Sequence, residues 1–111
     1  MNALANKVQL IGRLGTDPEV KTFDKNVKRA NLSIATNEYS KNDKGERVEK
    51  TTWHKVVVWR GLADVAEKYC EKGKEIAVEG KLVNRQYEDK EGKTRYITEV
   101  VANDIMLLGK K

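Results

Sequence analysis

The side chains with the most chemistry in this chain sit in the run TTWHKVVVW, residues 51–59. Threonine, valine and tryptophan favour an extended strand, and alternate side chains of a strand point to opposite faces. Trp53, Lys55, Val57 and Trp59 therefore share one face, and Thr52, His54, Val56 and Val58 share the other. Two indoles beside an ammonium make a stacking platform: every nucleic-acid base has a π face, and the cation can take a phosphate. The same residues admit two other arrangements. Both tryptophans could lie in the core with the lysine reaching solvent along its stem, or a β-bulge could send the rings to opposite faces.

The pairing of aromatic and cation recurs elsewhere. Arg85 and Tyr87 share one face of an extended segment, and Tyr39 precedes a polar stretch carrying Lys41 and Lys44. A core needs aromatic rings, but it does not need each one beside a lysine or arginine. Basic residues exceed acidic ones, 22 against 17. Residues 1–55 and 56–111 carry 11 basic residues each against 7 and 10 acidic ones, so no single tail supplies the excess. A basic surplus spread over a domain suits a polyanionic partner, because phosphate neutralisation releases counterions.

Other chemistries lack their residues. His54 is the only histidine and Cys70 the only cysteine, too few for a His/Cys zinc cluster or an internal disulfide. There is no Walker loop and no GxGxxG. The carboxylates sit among lysines, as in EDKEGK at residues 88–93, and read as solvated hairpin tips. His54 faces away from the tryptophans and reads as a packing or subunit-contact residue. These features point to a non-catalytic protein with no metal and no cofactor. The N-terminus has no apolar stretch of signal-peptide length, no run approaches the length of a membrane helix, and the expected compartment is the reducing cytoplasm.

The elements that must position these residues are mostly strands. Residues 6–14 alternate Val8, Leu10, Gly12 and Leu14 against Lys7, Gln9, Ile11 and Arg13. Gly15, Asp17 and Pro18 supply a turn. A second strand is expected over 27–36, with Ala30, Leu32 and Ile34 inward. A polar loop or hairpin tip follows over 40–49, and a third strand over 50–59. One helix is expected in GLADVAEKYCEKG, with Leu62, Val65, Ala66 and Tyr69 as its apolar stripe and Gly73 past its end. A fourth strand carries Ile76, Val78 and Leu82 on one face. A hairpin over 87–96 and two closing strands, 95–101 and 104–108, complete the chain. Three strands, a helix and further strands fit an all-β, five-stranded Greek-key OB barrel with its helix between the third and fourth strands. The order alone also permits other small α+β folds.

Several of these segments carry a family resemblance. NKVQLIGRLGTDPEV, TTWHKVVVWRGLADVAEKYCEKG, VEGKL and RYITEVVAND followed by a methionine–leucine strand closely resemble the bacterial single-stranded DNA-binding proteins, from Asn6 to Gly109. The resemblance implies an OB fold that coats single-stranded DNA in replication, recombination and repair, assembled as a homotetramer or a dimer. It also implies that Trp53, Trp59 and Tyr87 fall at base-stacking positions. Lys7, Lys72 and Arg85 fall at basic positions along the strand's path, and His54 at a position linked to assembly. Tyr39 stands beside Ser40, where many members have a tryptophan, and Glu75 and Ala77 replace an amide and an aromatic at the family's tetramer contacts. The sequence is expected to be one domain, 1–111, without the family's Gly/Pro/Gln-rich linker and acidic tip, so recruitment of replication and repair enzymes through a tail is not expected. The alternative reading is a short primosome-type accessory protein acting mainly through protein contacts. A nuclease on the same fold would need convergent acids and a metal, and the sequence offers no such constellation.

Overall fold

The structure, a computed structural model, describes residues 3–109. After a 3₁₀ turn at Ala3–Asn6 come β1 (Val8–Leu14), β2 (Glu19–Thr22), β3 (Lys28–Lys41) and β4 (Arg47–Trp59). Helix α1 (Gly61–Tyr69), β5 (Glu75–Glu88) and β6 (Thr94–Leu107) follow. The strands hydrogen-bond in the order β1-β5-β6-β4-β3-β2, and a second pairing of β1 with β3 closes five of them into a barrel. β4 and β6 run parallel where Val56 and Val57 meet Val100 and Val101, and the other pairings are antiparallel. This is the expected OB barrel. The helix falls between the third and fourth barrel strands, which are β4 and β5 once β2 is counted.

Closure turns on β1. It pairs with β5 along Val8–Arg13, then with β3 through Arg13 and Leu14 against Ala35 and Ile34. Passing from one neighbour to the other brings its backbone against β3, where a Cβ at Gly12 would collide with the carbonyl oxygen of Ala35. Inside the barrel Leu14, Leu32, Ile34, Val56, Val58, Ile76, Val78 and Val100 form one apolar cluster, to which α1 adds Ala63 and Ala66, and Cys70 just past its end joins them. Burial of this kind contributes roughly 25 cal/mol per Å² of apolar area removed from water. Burial also raises the Cys70 thiol pKa, which keeps it protonated.

Several sequence expectations are corrected. The helix buries Ala63 and Ala66, whereas Leu62 and Val65 are half-buried and Tyr69 is exposed. Alanine lets the helix sit close to the barrel, and the large ring is turned out. Leu82 is exposed too, because β5 has left the barrel by that point. The two closing strands are one. Glu79 faces Asp104 and Gly80 faces Ala102, so Asn103 is an unpaired extra residue that shifts the alternation midway along β6. β2 was not expected, since four residues with only Val20 half-buried show little periodicity.

The 40–49 stretch is a hairpin tip, as expected, but a short one: only residues 42–46 lie outside the strands. β3 runs to Lys41 and β4 begins at Arg47, with Asn42 Oδ1 accepting from the backbone N–H of Lys44 and of Glu46. The β3–β4 and β5–β6 hairpins thus project beyond the barrel as arms. The radius of gyration is 16.1 Å, against about 13 Å for a compact chain of this length.

Asp89 holds the tip of the second arm. Its carboxylate accepts from Arg95 Nε at 2.8 Å and from the backbone N–H groups of Glu91 and Lys93 at 2.9 Å. The Arg95 bond, with the Lys93 N–H behind it, holds this carboxyl below its ordinary value. The stabilisation of the tip is therefore complete above the ordinary carboxylate range and is lost as pH falls through the lowered value. Hydrogen-exchange protection at Glu91 and Lys93 is expected to drop on acidification below that range before protection at Ile76 or Val100 does. Simultaneous loss at all four sites would show that Asp89 does not pin the turn.

Candidate nucleic-acid interface

The register of β3 against β4 places Arg29 opposite Trp59, Ser33 opposite Lys55, Ala35 opposite Trp53 and Tyr39 opposite Glu49. All these side chains lie on the outer face of the ladder, since Ile34, Val56 and Val58 point inward. Trp53 is 60% exposed and Trp59 39%, which excludes the arrangement with both rings in the core. Six residues of strand separate them, about 20 Å at 3.3 Å per residue, so the two rings are separate surfaces.

Trp53 lies over the loop after β1, where a Cβ on Gly15 would run into Cζ3 and Cη2 of its indole. Arg13, Lys72 and Gly73 line the same groove. Their segments are stitched together: Gly15 N–H donates to Ser33 O at 2.9 Å, Gly73 N–H to Leu14 O at 2.8 Å, and Lys72 N–H to Asp17 Oδ1 at 2.8 Å. The ring therefore rests on a braced surface with two cations beside it.

Lys55 and Arg85 line a second groove with Asn31, Ser33 and Glu99. Arg85 Nε donates to Glu99 Oε1 at 2.8 Å, and the Glu99 side chain is only 10% exposed against 51% for Arg85. A carboxylate this buried needs its partner; part of the Arg85 charge is thereby neutralised while the guanidinium is held in place. Lys55 has no ion-pair partner among the described residues. Around Trp59 lies a third groove, shared with Phe23, whose ring centre is 5.9 Å from that of Trp59 with a 31° tilt.

The remaining sequence candidates are more dispersed. Tyr39, 54% exposed, is on the first arm; Arg47 lies 4.1 Å over its ring, and its hydroxyl donates to Glu49 at 3.1 Å. Tyr87, 45% exposed, is near the end of the second arm on the same face as Arg85. Lys7 pairs with Glu79 at 3.2 Å. It lies six residues before Arg13, about 20 Å along the strand, so the structure does not bring it to Trp53. His54 is half-buried on the inner side of β4 with Nε2 2.9 Å from Thr36 Oγ1. Among the described residues no three His, Cys, Asp or Glu side chains are grouped to hold a metal. Sequence reasoning missed Phe23 and Arg29: an aromatic two residues after Lys21 was the available signal, but without β2 it had no place in the fold.

Barrel and face together define an OB-fold protein with an open aromatic and cationic surface on one side. The chain belongs to the single-strand binding protein family, whose profile matches residues 5–108. It is 44% identical over 110 residues to single-stranded DNA-binding protein 1 of Xylella fastidiosa, covering 98% of this chain and 81% of that one. It is 41% identical over 107 residues to single-stranded DNA-binding protein 1 of Chlorobaculum tepidum, covering 96% of this chain and 66% of that one. Among solved structures, the Plasmodium falciparum SSB in complex with ssDNA superposes with a TM-score of 0.86 at 34% identity, over 94% of this chain and 95% of that one.

The contact between Gly15 and Trp53 can be checked by fluorescence. In a Trp59→Phe background, Gly15→Ala is expected to shift the emission of Trp53 as the added methyl lifts the indole off the loop, with little change in melting temperature. Unchanged emission would show that the ring does not rest on Gly15.

Proposed function

We propose that this chain is a sequence-nonspecific single-stranded DNA-binding protein that coats and protects single strands in replication, recombination and repair. The observation that carries the reading is the pair of exposed tryptophans on one face of β4 with Lys55 between them. A soluble face has no need of two indoles in water, whereas a stacking surface does. In this reading Trp53, Trp59, Tyr39 and Tyr87 stack bases. Lys55, Lys72, Arg85 and Lys7 neutralise phosphates. The protein acts by coating and has no catalytic step. The chain works as one DNA-binding domain in the cytoplasm, on the nucleoid. The family membership and the DNA-bound relative of the same fold support the same conclusion.

Self-association forms part of this reading. On the outer face of β1, β5 and β6 the register sets Ile11 beside Ala77 and Ala77 beside Met106. Ile11 is 54% exposed and Met106 64%, an apolar row on the opposite side of β1 from the core. We assign this row, with His54, to contacts between copies in a dimer or tetramer. Ile11→Glu is expected to reduce the mass measured by analytical ultracentrifugation without loss of the circular-dichroism signal of the barrel. An unchanged mass would move the interface elsewhere.

Titration of the tryptophan emission with poly(dT) tests the DNA reading. Deep quenching by single strands, weak response to duplex DNA and loss at high salt are expected. Trp53→Ala should weaken binding by about 1–3 kcal/mol without unfolding, and Lys55→Ala should lower the slope of log affinity on log salt by about 0.7. An absence of quenching would return the tryptophans to a protein-contact role.

A further inference from the structure

Arg29 has a feature that no other described residue shares. Its Nε is buried and has no hydrogen-bond partner. The guanidinium carbon lies 5.1 Å from the centre of the Phe23 ring and 5.8 Å from that of Trp59, and Lys21 Nζ lies 5.1 Å from the Phe23 ring. The register sets Lys21 directly opposite Arg29, and Arg29 directly opposite Trp59. One row across β2, β3 and β4 thus carries two cations and an indole.

Like charges placed directly opposite destabilise a strand pair, and an unsatisfied buried donor adds its own cost. Neither Lys21 nor Arg29 has an ion-pair partner among the described residues. The neighbouring Lys28 is treated differently by the fold. It reaches Asp64 at 2.9 Å and Glu67 at 2.6 Å, both on α1. Asp24 lines the groove of Phe23 and Trp59 without pairing with either cation. The arrangement is that of a cation site completed by an anion from outside.

Phe23 is held in place for such a role. Its N–H donates to Val27 O at 2.7 Å across a short turn in which Lys25 and Asn26 have φ of 64° and 60°. The rings of Phe23 and Trp59 are already in contact at 5.9 Å, so no base enters between them. A base can lie only on the open side of the pair.

We propose that Phe23, Arg29 and Lys21, with Trp59, form a nucleotide subsite. One base of a single strand stacks on the Phe23–Trp59 surface, and the adjoining phosphate is held between Arg29 and Lys21. The subsite rests on the single-strand reading above and adds three residues, two of them from β2 and its turn, to the face of β4.

A chain carrying Trp53→Phe reports through Trp59 alone, and titration with oligo(dT) at several salt concentrations tests the subsite. Oligo(dT) is expected to quench Trp59. Arg29→Gln in this background should weaken binding several-fold and lower the salt slope by about 0.7. Phe23→Leu keeps the apolar volume but not the π face, and should weaken binding about fivefold or more. If oligo(dT) binds and both variants keep the parent affinity and slope, the cluster is structural packing; the subsite is then overturned while the wider reading stands. If the parent chain itself fails to bind, both readings fall. If Phe23→Leu does not fold, Arg29→Gln decides alone.

Discussion

The structure depends on β1 serving two neighbours. Its pairing with β5 and then with β3 turns an open sheet into a barrel, and Gly12 allows the close approach. Closure gives every strand an inside and an outside. Within the barrel Val56 and Val58 are drawn to the core, and Lys55 and Trp59 are forced outward by the period of two. Val57 shares the outer face with the tryptophans yet is buried, because β6 runs beside it there. The exposure of two large indoles is thus a consequence of ring closure; an open sheet with the same sequence could have folded them against a second layer.

Past the barrel the same strands continue as arms, and their physics changes. The inner side chains of residues 37–51 have no opposing layer, so stability there rests on cross-strand pairs and turn chemistry. Arg47 over Tyr39, Thr51 to Asn37 and Thr98 to Asn84 are contacts of this kind. Each contributes little alone. The arms extend the aromatic and cationic face well beyond what a barrel of this size could offer, and a ligand running along the face would contact both barrel and arm.

The candidate cations fall into two groups. Arg85 is tethered to the buried Glu99, and Lys7 to Glu79. Lys55, Lys21 and Arg29 are without an ion-pair partner among the described residues. Exposed ion pairs are worth little to stability, so the division matters mainly for binding. The unpaired cations carry undiminished charge to a polyanion, while Arg85 offers a fixed direction at the cost of part of its charge.

Much of this was legible in the residues themselves. The run at 51–59 determined which side chains share a face, because strand periodicity is a local property. One histidine and one cysteine are too few for a His/Cys zinc cluster or an internal disulfide, and the order of strands and helix narrowed the fold to a few candidates. Which face looks outward was not local: alternation gives two faces, and only the closing of β1 onto β3 chose between them. The helix stripe failed at Tyr69 for the same reason, since the barrel end accepts alanines and not a ring. The Phe23, Arg29 and Trp59 cluster was beyond reach for a related cause. Arg29 and Trp59 lie on two strands and Phe23 on the turn after a third; their register is set by tertiary pairing, and β2 is too short and too exposed to announce itself. The sequence by itself determined the chemistry available and its local spacing. The tertiary structure decided which of those groups meet and which of them face water, because register and closure are properties of strand pairs and not of any one strand.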